Sequence, residues 1–201
     1  MPAPIRQTSS TVHVDATTVD LCGEDLVVEF EPEWTANGLV EADPDGDGVR
    51  ILTGQEIGRI HVTVQLRDGW PPLADDNDTW QDIAEVSAAW RSAFLDFGTT
   101  GADDDSAQHI ALPGPGDYRL RVHGRHRDDG DPRDDRDPLE ECLIQIWPAP
   151  PAADRVIKTT SSTAARWRGW QMPAESGDFQ ALFRRGWLPR QSDVQCRRGK
   201  P

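Results

Sequence analysis

The sequence predicts an all-β fold: an antiparallel β-sandwich of about seven or eight strands followed by a poorly ordered C-terminal tail. Three observations predict it. Short segments alternate apolar and polar residues, which gives a strand one buried and one solvated face. Clusters of Gly, Pro and Asp separate these segments at turn-like intervals. No sustained helical period lies between them, as an alternating α/β chain would require.

Taken in order, the first strand centres on Val12-His13-Val14 and the second on Asp25 to Phe30. A third spans Val49 to Leu52. The clearest runs from Arg59 to Leu66, where Ile60, Val62, Val64 and Leu66 share one face. Residues 79 to 90, TWQDIAEVSAAW, fit either period; Ala84, Val86, Ala88 and Trp90 favour a strand, whereas Trp80, Ile83, Ala84 and Ser87 would suit a helix. Ser92 to Phe97, Asp117 to Gly124 and Glu141 to Trp147 complete the set. In Tyr118-Arg119-Leu120-Arg121-Val122-His123 the charged residues are expected on a solvated face. The segment from Arg125 to Pro138, RHRDDGDPRDDRDP, is expected to be a mobile surface loop.

Charge divides the chain in two. Residues 1–155 carry 32 acidic against 12 basic side chains, a net of −20; residues 156–201 carry three against nine, a net of +6. The expected organisation is an acidic sandwich over 1–155 and a basic Trp/Arg-containing tail over 156–201, with residues 161–201 extended or disordered. The mean hydropathy of −0.63 agrees with a chain that is not packed throughout. An acidic body repels nucleic acid and anionic membrane and steers toward basic surfaces.

Neither a secretory leader nor a membrane-spanning run of about 20 apolar residues is evident, so a soluble, cytoplasmic protein is expected. Cys22, Cys142 and Cys196 are odd in number and widely spaced, which points to reduced thiols rather than a disulfide framework or zinc site.

Chemistry-bearing motifs are sparse. Asp43-Pro44-Asp45-Gly46-Asp47-Gly48 opens like a calcium loop, but the twelfth position is Gly54 where a bidentate Glu is needed. An Asp- and Gly-rich hairpin turn explains it better. His13, His61, His109, His123 and His126 are scattered, and His123 and His126 would fall on opposite faces of a strand. No nucleophile elbow and no phosphate-cradling glycine motif is present. The expectation is therefore a binding protein that is not an enzyme and uses no cofactor or metal. The acidic loop residues Asp75, Asp76, Asp78, Asp103, Asp104 and Asp105 are the candidate contacts for a basic partner protein.

Three stretches resemble the competence protein J family, small bacterial inhibitors of a DNA-entry nuclease. Trp34-Thr35-Ala36-Asn37-Gly38-Leu39-Val40 leads through an acidic turn to Val49-Arg50-Ile51-Leu52-Thr53-Gly54 and the strand Ile60 to Leu66. Ile110-Ala111-Leu112-Pro113-Gly114-Pro115-Gly116-Asp117-Tyr118-Arg119-Leu120 is similar to the family's Leu-Pro, Gly, Asp-Tyr turn and strand, and Glu141 to Trp147 would supply the closing strand. The resemblance covers about residues 10–150. It implies a β-sandwich and a nuclease-inhibiting or immunity-type role, with no catalytic residues to carry over. The loop from Arg125 to Pro138 and the basic tail depart from it.

Overall fold

The computed structural model describes residues 3–23, 30–46, 48–73, 77–97, 108–130 and 139–169. Eleven strands are present among them: β1 (Arg6–Asp15), β2 (Thr18–Cys22), β3 (Val40–Ala42), β4 (Val49–Leu52), β5 (Ile57–Leu66), β6 (Asp82–Trp90), β7 (Phe94–Phe97), β8 (His109–Ala111), β9 (Gly116–Arg125), β10 (Glu141–Pro148) and β11 (Arg155–Thr159). A 3-10 turn covers Asn77–Thr79, and one helix, α1, covers Ser162–Arg168.

The strands form two layers joined at a corner. One layer runs β11-β6-β9-β10-β5-β1; the other holds β3, β4, β2, β7 and β8. The corner is the β1–β2 hairpin. Its two loop residues, Ala16 and Thr17, have φ of 61° and 63°, the twist of the tight turn that hairpins favour. Only Asp15 and Thr18 are paired across it before the strands part into separate layers. Among the described residues, all pairings are antiparallel except β5–β10, which is parallel.

Alternation decides what lies between the layers. Ile60, Val62, Val64 and Leu66 of β5 are buried there, with Leu120 and Val122 of β9 and Ile144 and Ile146 of β10. Val19, Leu21, Val49, Ile51, Leu95 and Phe97 meet them from the other layer. Burial of apolar area at about 25 cal/mol per Å2 drives this closure.

Seven of the expected strands are found, and residues 79–90 resolve in favour of a strand, β6. Of the expected strand at 25–30, residues 25–29 lie outside the described residues, and Phe30 has no regular structure. β2, β3, β8 and β11 were not anticipated. They are three to five residues long, too short to show a period.

Two expectations need correction. Arg119, Arg121 and His123 alternate with apolar residues but are buried, at 3%, 0% and 4% exposure. Residues 67–73 and 77–81, between β5 and β6, and 149–154, between β10 and β11, supply their contacts: Arg121 donates to the Pro71 carbonyl at 2.8 Å, and Arg119 donates to the Ala152 and Ala153 carbonyls at 2.8 and 2.7 Å. Second, the ordered body continues past residue 155. β11 pairs with β6, and α1 packs Thr163 and Ala164 into the interior. Within the segment expected to be extended or disordered, 162–168 is therefore helical; residues 170–201 lie outside the described residues.

Helix α1 starts at that point because Ser161, in an extended conformation, accepts the Ala164 N–H through its hydroxyl at 2.9 Å. Asp128 adds two more acceptors to the same end, taking the amides of Ser162 and Thr163 at 2.8 and 3.0 Å. Gly38, at φ +66°, lets the chain pass under the helix, since a Cβ there would lie 2.7 Å from the Ala164 carbonyl oxygen.

Candidate functional site

Of the six acidic residues expected to contact a partner, Asp78 is described. It is exposed in the 3-10 turn, and its backbone carbonyl lies 3.3 Å from the Lys158 ammonium. Asp75, Asp76, Asp103, Asp104 and Asp105 lie outside the described residues. The turn joining β3 to β4 is a hairpin turn, as expected. Asp43 accepts the Asp45 amide at 2.9 Å and its own N–H bonds the Gly48 carbonyl at 2.8 Å.

The more telling acidic feature involves other residues. β3, the edge of one layer, lies against β6 of the other, so the sandwich nearly closes along this seam. An open cavity of about 490 Å3 sits there. Five carboxylates line it: Glu33, Glu41, Asp43, Asp117 and Asp154. Among the described residues no Lys, Arg or His lines it; Ser87, Ala88 and Ala89 of β6 line it as well.

Local structure holds this rim in place. The Glu41 carboxylate accepts the Glu33 amide at 2.9 Å and also the Trp34 amide, which fixes the chain ahead of β3. Trp34 is buried with φ of 60°, and its carbonyl accepts the Gly38 N–H at 2.9 Å. Asn37 is buried and closes the same turn, accepting the amides of Leu39 and Val40, each at 2.8 Å.

Burial pushes the Glu41 carboxyl above its ordinary range. The two backbone amides oppose that rise, while the like charges of Glu33 and Asp154 add to it. Asp154 is also raised by burial, with Arg119 working against the rise. A cation entering the cavity would relieve both effects.

Among the described residues, two buried ion clusters lie outside this lining. Glu85 of β6 pairs with Arg121 at 2.8 Å, and lies 3.6 Å from Arg119 and 3.5 Å from Arg155. The Arg121 guanidinium lies over Trp70 and Trp147, 5.4 and 5.6 Å from their ring centres. The second cluster centres on Arg127, which lies in the loop expected to be mobile yet is only 1% exposed. It pairs with Asp82 and donates to the carbonyls of Gly38 and Leu52 at 3.1 and 2.9 Å. Residues 131–138 of that loop lie outside the described residues.

The histidines do not converge. His123 packs at 5.4 Å against Trp80, and His126, in the turn after β9, pairs with Asp129 at 2.8 Å. Among the described residues, no three His, Cys, Asp or Glu side chains are grouped so as to hold a metal ion. Cys22 and Cys142 are buried. No described helix is long and apolar enough to cross a membrane.

Comparison with known proteins adds little. No family model and no curated protein matches the chain. A solved chain described as "Crocagin biosynthetic gene J" is similar at a TM-score of 0.45 and 17% identity, over 72% of this chain and 99% of that one.

Sequence reasoning singled out one of the five cavity carboxylates, Asp43, and assigned it to a turn. Asp117 entered only as part of an Asp-Tyr strand motif, and Glu33, Glu41 and Asp154 carried no local signal. They are up to 121 positions apart, and the pairing of β6 with β9 and the approach of β3 to β6 bring them together.

Proposed function

We propose that the chain is a non-catalytic acidic module that binds and neutralises a basic partner protein in the cytoplasm, and that the seam cavity is part of the contact surface. The observation that carries this reading is that, among the described residues, five carboxylates and no cationic side chain line the cavity. An Arg or Lys side chain of a partner would add countercharge to that which Arg119 gives Asp154. The net charge of −14 extends the attraction to long range, speeding encounter with a basic surface.

A nuclease is the partner class that the competence protein J resemblance suggests. Its cleft is built for phosphates, and carboxylates held on a stable rim imitate them. Inhibition then follows by occlusion. The loop aspartates Asp75, Asp76, Asp78, Asp103, Asp104 and Asp105 would extend the same anionic surface.

The test is titration of the chain with a basic nuclease and, for comparison, with a basic protein of similar charge and no nuclease activity, at 50 and 300 mM salt. Binding that weakens at least tenfold at high salt, and again on combining Glu33→Gln, Glu41→Gln and Asp154→Asn, supports the reading. Because burial raises the Glu41 and Asp154 carboxyls, affinity should begin to fall on acidification at a higher pH than ordinary carboxylates would allow. Binding unaffected by salt and by these substitutions would remove the cavity from the contact. No binding to either protein would leave a structural β domain.

A further inference from the structure

The seam cavity is a groove as well as an anionic site. Ala36, Ala42, Pro44, Ala88, Ala89 and Pro151 line it between the carboxylates, so part of its wall is apolar. Two of the carboxylates are open to a new partner: Glu33 and Asp117 are exposed and make no side-chain hydrogen bond or ion pair among the described residues. The cations beside the groove are engaged with backbone. Arg119, which favours the charged form of Asp154, donates to the Ala152 and Ala153 carbonyls at 2.8 and 2.7 Å, and Arg91 donates to the Asp45 carbonyl at 2.7 Å.

The described chain leaves the body beside this groove. Gly38 closes the turn that starts at Trp34, and Thr35 and Ala36 of that turn line the cavity. The α1 backbone lies directly on Gly38, at Ala164. From there to Gly169, where the described residues end, five residues of helix advance about 8 Å. Residues 170–201 follow, with six Arg or Lys and three acids, a net of +3 facing a body of −20. Within them Phe183-Arg184-Arg185-Gly186-Trp187-Leu188-Pro189-Arg190 combines three guanidiniums with an indole and contains no acid. The chain from Gly169 to Arg184 can span up to about 50 Å, which covers the groove. Arginine suits a carboxylate rim because its paired N–H donors match the two carboxylate oxygens.

We propose that residues 183–190 of this chain dock in the seam groove, the arginines on the rim carboxylates and Trp187 and Leu188 against the alanines, so that a basic partner protein must displace them. On the reading of the cavity as the surface for such a partner, the docked segment regulates access. A tethered occupant competes at an effective concentration of order mM, and the partner's apparent affinity falls by the fraction of chains whose groove is free.

The experiment uses the full chain. Cys22 and Cys142 are buried, at 4% and 5% exposure, so a thiol-reactive nitroxide is directed to Cys196, six positions past Arg190, and single labelling is checked by mass. Amide signals are compared at 50 mM salt with the nitroxide oxidised and reduced. Attenuation of at least twofold at Ala42, Ser87, Ala89 and Asp117 is expected. It should be lost on combining Arg184→Gln, Arg185→Gln and Arg190→Gln, and on combining Glu33→Gln with Asp117→Asn at the exposed rim. The same charge change at Arg197→Gln, Arg198→Gln and Lys200→Gln should leave it near wild type. No attenuation in the wild type, attenuation that survives the first arginine variant, or equal loss in the second overturns the docking. So does equal attenuation between nitroxide-bearing and separate isotope-labelled chains, which would place the segment on a neighbouring copy. Regulation is read by titration with the basic nuclease, which the first arginine variant should bind at least threefold more tightly than wild type; equal affinity refutes displacement. The nitroxide measurement needs no partner. Attenuation at the groove with no binding of either basic protein would therefore sink the proposed function and support the docking, whereas binding without attenuation would sink the docking alone.

Discussion

Replacing Arg127 with Met tests whether one buried guanidinium holds the two layers together at this end. The side chain is 1% exposed, and it links Asp82 at the start of β6, Gly38 ahead of β3, Leu52 at the end of β4 and Ser161 at the cap of α1. Met keeps much of the volume and removes the charge and all the donors. Asp82 would then be a buried carboxylate left with the amides of Thr160 and Ser161 and the Ser161 hydroxyl. Breaking a buried pair from one side costs about 3–5 kcal/mol. Two carbonyls losing donors could add about 1 kcal/mol or more each, although relaxation and water entry offset part of this. A loss of about 3–5 kcal/mol is a large share of the roughly 5–15 kcal/mol available to a domain, and corresponds to a fall in Tm of about 6–20 °C. Urea and thermal unfolding followed by circular dichroism at pH 7.5 measure it, with the exposed Arg166→Met as control, expected within about 0.5 kcal/mol of wild type. Adding Asp82→Asn should recover part of the loss. A change below about 1 kcal/mol for Arg127→Met would refute the clamp.

Other outcomes follow from the same contacts. Gly54→Ala should destabilise by at least about 2 kcal/mol in urea unfolding, because no side chain rotation can move the Arg127 backbone carbonyl out of the way. Glu85→Gln leaves Arg119 and Arg121 buried without their carboxylate and should cost about 3–5 kcal/mol, whereas Arg155→Ala, on a 59% exposed partner of the same carboxylate, should cost less than about 1 kcal/mol. Burial alone would raise the Asp128 carboxyl, but hydrogen bonds from Ser162 and Thr163 outweigh it and hold the group below its ordinary range. Its stabilisation is therefore present above pH 4 and lost as pH falls through the folded value. Asp128→Asn should remove that acid limb from the stability profile and fray α1, read from helix amide exchange.

Much of the sandwich was legible because its long strands alternate. Ile60, Val62, Val64 and Leu66 face the core as their spacing requires, and the same logic located β9 and β10. The alternation of β9 misled on one point. It showed which residues face away from the core, but not that a second layer of chain lies on that side. Arg119 and Arg121 are buried because Pro71, Ala152 and Ala153, distant in sequence, offer them carbonyls. Lys158 likewise was assigned to the basic tail, yet it sits on a strand completed by β6.

The sequence by itself determined the fold class, the acidity of the body and the lack of a local catalytic signature, since these depend on composition and on periods of two residues. Tertiary structure alone decided where the acidity gathers. Asp and Glu at positions 33, 41, 43, 117 and 154 form one cavity because β3 closes on β6, and Arg127 became a buried link because it finds Asp82 and two carbonyls. Charge is local along a chain, but its compensation is set by neighbours in space, and those neighbours come from strand pairings that span tens of residues.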